Sequence, residues 1–335
     1  MLEDERATKE TALKDATKYV LLAFAISWIA WIGLVKLHVS EGMLYVGSAG
    51  PAFAAMILSR NRANAGSRAP WLRALLFVVV LASCWMVITL YFSWRGGFGS
   101  AIKIDPWLLL PSACPAWILS SHFSRDSGVR SLTKRLMHVP GVWSFIGFLL
   151  FPSILLAGDL IGFALHKPSV HPGPSNAGFG MFGWAALFCL FNLLFTATQE
   201  EPGWRGFLLD RLQKRFSPLV SSLLVWLPWA LWHGPLDYYR PERFSLAMYL
   251  ELRVVFLIPL VILMTWLYNR SGRSIQSTVL FHASMNTFPF VIPYFPPGFA
   301  LLFVAAALVV VLERMWRKNP VTTLEHTAVA ANPAH

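Results

Sequence analysis

An all-α fold, a polytopic transmembrane helical bundle of eight to ten spans, is what this sequence predicts, and three observations carry the prediction. Composition is the first: 56% of the 335 residues are hydrophobic and 13% charged, with a mean hydropathy of +0.54 and 15 tryptophans, whereas an ordinary soluble domain carries about 25% charged residues. The second is recurrence. Apolar stretches near the roughly 20 residues that a spanning helix needs fall at 19–37, 43–59, 74–93, 105–121, 142–165, 181–199, 219–233, 252–268, 275–292 and 297–313. The fourth and seventh are short and contain proline, and the last two lie close together, which sets the range of eight to ten. The third is charge: with the N-terminus inside, 21 of the 28 lysines and arginines fall in the segments 6–18, 60–73, 125–135, 205–215, 270–273 and 314–318, as cytoplasmic loops require.

That bias predicts both termini in the cytoplasm and an even number of spans, in a multi-pass protein of the plasma membrane. It also explains the net charge of +11 as topology, so no nucleic-acid partner is expected. In chain order, 1–18 is a cytoplasmic N-terminal segment, and no small-residue cleavage site follows it, so a removable signal peptide is not expected. N-terminal transmembrane helices occupy 19–165, and a helical core 180–292. A last span and its end fill 293–318, and 319–335 is a polar, alanine-rich tail expected to be mobile. Pro70, Gly96, Gly97, Gly99 and the segment 171–180 mark loops. Cys84, Cys114 and Cys189 sit in apolar runs without CxxC spacing and read as buried free thiols.

Polar residues at membrane depth are the informative exception, because a charge near the bilayer centre costs roughly 2.5 to 3.5 kcal/mol on the most lenient scales. Glu200 and Glu201 follow the polar residues Asn192 and Gln199 at the end of the sixth run. The two glutamates point about 100° apart around a helix. Arg205 lies four residues beyond Glu201, at ion-pair spacing, which leaves Glu200 for chemistry; the same residues also suit an ion cluster at a membrane edge. Pro202 suits the first turn of a new helix, and 206–216 reads as an amphipathic surface helix able to guide a membrane-anchored substrate. His233 ends the seventh run, where an interfacial hydrogen bond is the commonest role. His282 and Asn286, one helical turn apart, face one point; such a pair also serves interhelical hydrogen bonding. Asp159, in the fifth run, is an intramembrane acid with no partner legible in the sequence.

Glu200-Glu201-Pro202-Gly203-Trp204-Arg205, then Trp229 to His233, then His282 to Asn286, together resemble the CPBP family of intramembrane endopeptidases, with its type II CAAX prenyl proteases, bacteriocin-processing and Abi-type proteins. The family pattern is EExxxR, FxxxH, then HxxxN or HxxxD. The second element departs, with Trp229 where phenylalanine is usual, a change expected to touch packing rather than chemistry. The resemblance covers about 180–292, which makes that stretch a CPBP-like catalytic helical core.

What the resemblance implies is a hydrolase, a peptidase in which Glu200 activates water, His233 helps hold it, and His282 with Asn286 stabilises the oxyanion, while Glu201 and Arg205 support them. It leaves the cofactor open: none, or one divalent metal such as zinc held by Glu200, His233 and His282, which would make a metalloendopeptidase. The metal-free route is the expectation taken forward. The expected function is hydrolysis of a peptide bond in a membrane-associated or lipidated peptide near the cytoplasmic face, with the bilayer and a peptide or membrane-protein substrate as partners. Two alternatives stand beside it: a catalytically silent binding, bacteriocin-immunity or scaffolding protein, and a proton-coupled transporter relaying through Glu200, His233 and Asp159. The second predicts two related halves, and the sequence has no such internal symmetry.

Overall fold

The structure, a computed structural model, describes residues 2–61, 70–95, 99–166, 179–238, 245–292 and 296–318. The expected loop over 171–178, Gly96, Gly97 and the tail 319–335 lie outside these residues. Of the described residues 84% are helical, and none lies in a strand. Every apolar run read from the sequence falls on a helix. In chain order these are α1 (Leu2–Lys36), α2 (Glu41–Leu58), α3 (Pro70–Trp94), α4 (Leu109–Ser120), α5 (Ser127–Met137) and α6 (Val142–Ala164). Then follow α7 (Phe182–Gln213), α8 (Pro218–Tyr238), α9 (Leu246–Arg270), α10 (Ile275–Thr287) and α11 (Pro296–Leu312). Seven of them, α1, α2, α3, α6, α7, α8 and α9, are long and apolar enough to cross a membrane. The runs 105–121, 275–292 and 297–313 form the shorter α4, α10 and α11.

The largest difference from expectation lies in α7. No break occurs at Pro202, and the helix continues from Phe182 to Gln213. Proline has no N–H to give the preceding turn, and the helix accommodates it between two π-helical segments, Leu193–Ala197 and Trp204–Leu209. Such wide turns recur at functional sites because the extra residue re-aims side chains. The separate surface helix expected over 206–216 is therefore absent: residues 206–209 are buried within the bundle, and polarity returns at Asp210. Glu200, expected at the end of a span, lies about 15 Å along the helix axis from that polar boundary. The amphipathic helix of this face is instead α5, which buries Val129, Leu132 and Leu136 and leaves Ser131 and Lys134 in solvent.

Helix α7 is the centre around which the others are arranged. Its middle packs on α2, and its flank packs on α10, which in turn rests on α6. Gly203 permits the approach of α2 and α1, since a Cβ there would run into the Pro51 carbonyl and the Tyr19 hydroxyl. Gly158 does the same for α6 against α11, where its Cβ would meet the backbone of Gly298. Small residues that let helix backbones meet closely are the usual device in membranes. An aromatic cluster joins α1 to α7 and α8: Tyr19 meets Trp204 edge-on at 5.6 Å, and Trp31 lies 4.6 Å from Trp232. The Trp28 indole also donates to the Trp232 carbonyl at 3.0 Å. Cys84 and Cys114 are buried, Cys189 is half-buried, and all three are free thiols.

Candidate active site

Three polar rungs run between α7 and α10 and fix them antiparallel. Asn192 donates to Thr287 Oγ1 at 3.1 Å, Asn286 donates to Thr196 Oγ1 at 3.3 Å, and His282 Nδ1 meets Glu201 Oε1 at 2.8 Å. The HxxxN spacing thus makes interhelical hydrogen bonds, one of its two expected uses. Thr196 was not singled out in the sequence, although it stands four residues before Glu200 and extends the polar stripe begun by Asn192.

Glu201 and Arg205 form the i,i+4 pair that their spacing predicts, at 2.9 Å, with 0% and 1% of the side chains exposed. Two buried charges are stable together when the geometry is tight and the remaining donors are used. Arg205 spends a further N–H on the Met264 sulfur at 3.0 Å and stacks 4.2 Å over the Trp229 ring. Glu201 Oε1 accepts from both Arg205 and His282. A carboxylate can only accept, so His282 carries its proton on Nδ1 and leaves Nε2 for the site.

Glu200 has a different environment. Its Oε2 accepts the Trp229 indole N–H at 2.8 Å, and its side chain retains 4% exposure where Glu201 has none. The expectation that tryptophan at 229 alters only packing is corrected here, because the indole supplies a hydrogen bond that phenylalanine lacks. Trp229 also touches the two histidines: its ring lies 5.4 Å from that of His282, and its carbonyl accepts from His233 Nδ1 at 2.8 Å. By the same donor logic His233 keeps Nε2 as an acceptor. His233 sits where α8 passes from Pro218–Trp232 into Gly234–Tyr238.

Glu200, Arg205, His233 and His282 are therefore gathered around Trp229, Glu201 joins them through Arg205 and His282, and Asn286 stands one turn along α10. Arg253 of α9, not singled out in the sequence, pairs with buried Asp237 at 3.0 Å and lies within electrostatic reach of Glu200 and His233. Asp159 is half-buried on α6. Among the described residues no group of three His, Cys, Asp or Glu side chains is disposed to hold a metal ion, so Glu200, His233 and His282 do not converge as a zinc set here. An open cavity of about 390 Å³ lies elsewhere, toward the end of α7, lined by Arg135, Phe207, Asp210, Arg211 and Arg273 among others. None of the six candidate residues lines it.

This arrangement occupies the part of the chain that known proteins share. The family model described as type II CAAX prenyl endopeptidase Rce1-like matches residues 182–288. A CAAX prenyl protease 2 from Methanococcus maripaludis is 33% identical over 144 residues, 42% of this chain and 52% of the relative. The chain thus matches about half the length of that curated relative. Apolar helices in this number and the family match make it an integral, multi-pass membrane protein. Through its α7 to α10 core, the chain is thus similar to the type II CAAX prenyl endopeptidases, the side of the CPBP family that its motifs resemble.

Proposed function

We propose that the protein is an intramembrane endopeptidase that hydrolyses a peptide bond with water activated by Glu200. The observation that carries this reading is the unequal treatment of the two adjacent glutamates: Glu201 is locked into Arg205 and His282, while Glu200 is anchored through one oxygen and keeps slight exposure. A structural ion pair has no use for that second carboxylate.

The chemistry follows from the free atoms. Glu200 Oε1 accepts a proton from water as the water oxygen bonds to the scissile carbonyl carbon. His233 Nε2 accepts a hydrogen bond from the other O–H, which stays on the attacking oxygen, and holds the water in line. The carbonyl electrons move to oxygen, and the resulting oxyanion is met by the Asn286 amide N–H and by His282 when it carries a proton on Nε2 besides the Nδ1–H that Glu201 holds. Glu200 then returns its proton to the amide nitrogen, the C–N bond breaks, and a carboxylic acid and an amine leave.

Substrate class follows from position. The base lies about 15 Å below the polar end of α7, on the side that the lysine and arginine bias assigns to the cytoplasm, and an apolar or lipid-bearing peptide reaches that depth without stranding charges. We assign the protein to the plasma membrane with both termini cytoplasmic, and a prenylated C-terminal peptide is the first substrate to test, given what the matched relative is called.

The test uses purified protein in liposomes and a quenched fluorescent peptide ending in farnesyl-cysteine plus three residues, beside its unprenylated twin. Wild type is expected to cleave, and Glu200→Gln, His233→Ala and His282→Ala each to lower turnover by roughly 100-fold or more. Turnover that survives Glu200→Gln removes the assignment of the base. A cellular phenotype that survives all three changes points instead to a binding or immunity role.

A further inference from the structure

We propose that Trp229 is a positioning residue of this site, fixing Glu200 through its indole N–H and His233 through its backbone carbonyl. The inference rests on the reading of Glu200 as the base. It concerns a feature of this chain, since the pattern it resembles has phenylalanine at this position.

A single residue touches four of the six candidates. The indole N–H bonds Glu200 Oε2 at 2.8 Å, the ring face carries the Arg205 guanidinium at 4.2 Å, the ring edge meets His282 at 5.4 Å, and the carbonyl takes His233 Nδ1 at 2.8 Å. Trp229 is 1% exposed, so bulk water does not stand in for the indole. Arg205 is already bonded to Glu201 and Met264. The indole bond therefore selects which carboxylate oxygen of Glu200 remains for water. His233 is four residues beyond Trp229 on α8, so the helical turn itself sets the distance between the base and the acceptor that holds the water. Both groups are indexed to one side chain and its own backbone. Trp229→Phe isolates the claim, because it keeps a ring between Arg205 and His282, keeps the carbonyl, and deletes the N–H.

Two readouts decide it, both on the full chain in detergent. In the cleavage assay Trp229→Phe is expected to lower kcat by roughly 10- to 100-fold, the size of a lost hydrogen bond to a charged group, with KM within about twofold. In nitrogen-15 NMR of indole-labelled protein, the Trp229 N–H resonance, assigned by its loss in Trp229→Phe, is expected to shift upfield in Glu200→Gln, where a neutral amide replaces the carboxylate. If Glu200→Gln is inactive but Trp229→Phe turns over like wild type, or the indole resonance ignores Glu200→Gln, the positioning role is wrong and the base assignment stands. If Glu200→Gln still cleaves, both fall.

Discussion

Helix α7 carries two ion clusters little more than two turns apart, each built on a carboxylate paired with arginine and doing different work. At Glu201–Arg205 the side chains are 0% and 1% exposed, and the partners beyond the pair are His282, Met264 and the face of Trp229. At Asp210 the carboxylate meets Arg135 at 2.9 Å, the Tyr268 hydroxyl at 2.9 Å and Arg273 at 3.6 Å, with 14% to 33% exposure along the ion pairs. The first cluster has no water to fall back on, so each lost partner leaves a stranded charge. The second can be resolvated. Depth, rather than the bonds drawn, decides what each pair contributes, and it is the deep cluster that orients His282.

The comparison breaks most readily at Glu201. Replacing it with glutamine strands the Arg205 guanidinium and is expected to destabilise the fold by about 3 to 5 kcal/mol, seen as a steep fall in thermal stability in detergent. The double change Glu201→Leu with Arg205→Met is expected to cost less than Glu201→Gln alone. It removes both charges and leaves chiefly the unpaired His282 Nδ1–H, worth about 1 to 3 kcal/mol. A double variant weaker than the single would show that the pair is held by attraction rather than by mutual need.

Asp210→Asn comes next and is expected to cost only about 1 kcal/mol, because water and the remaining Tyr268 and Gly206 contacts take over at a partly exposed site. Urea titrations of Glu201→Gln and Asp210→Asn, compared at equal slope, measure the contrast directly. Equal losses would mean that Asp210 is as dry as Glu201, and that α7 ends inside the protein rather than at its boundary.

The reasons for what the sequence disclosed differ between the two ends of α7. Spans are legible because lipid imposes one requirement, about 20 apolar residues, and the Glu201–Arg205 pair because a helix fixes which residues share a face. The continuity of α7 was not legible. Pro202 ordinarily opens a helix, and the two π turns that absorb it depend on packing against α2 and α10, which no local pattern records. The amphipathic reading of 206–216 failed for a related reason: its leucines and phenylalanine follow a helical period, but α5 and α10 cover the side that was assigned to water. The indole bond at Glu200 was hidden because a tryptophan among 15 in an apolar chain reads as bulk. Its polar atom acquires a role through a carboxylate 29 residues away.

The smallest effect separates a carboxylate bonded mainly by backbone from both ion clusters. Asp126 caps α5, accepting N–H groups of Gly128 and Val129 at 3.0 and 3.1 Å and of Asn61 at 3.0 Å, with Arg60 at 4.0 Å. Burial alone would push its carboxyl up, but the backbone bonds from Asn61, Val129 and Gly128 and the Arg60 charge outweigh it and hold the group below the usual range. A folded-state value below the unfolded one means that this contribution is complete above the ordinary carboxylate value and is lost as pH falls through the lowered one, a window below about pH 4. Asp126→Asn preserves a capping oxygen and removes the charge. Its thermal midpoint is therefore expected to lie slightly below wild type near neutrality and to converge with it as pH falls, since protonated aspartic acid and asparagine then offer the same neutral acceptor. A gap that stays constant down to about pH 3 would place the cap's contribution in shape alone and leave charge on this face to the Asp210 cluster.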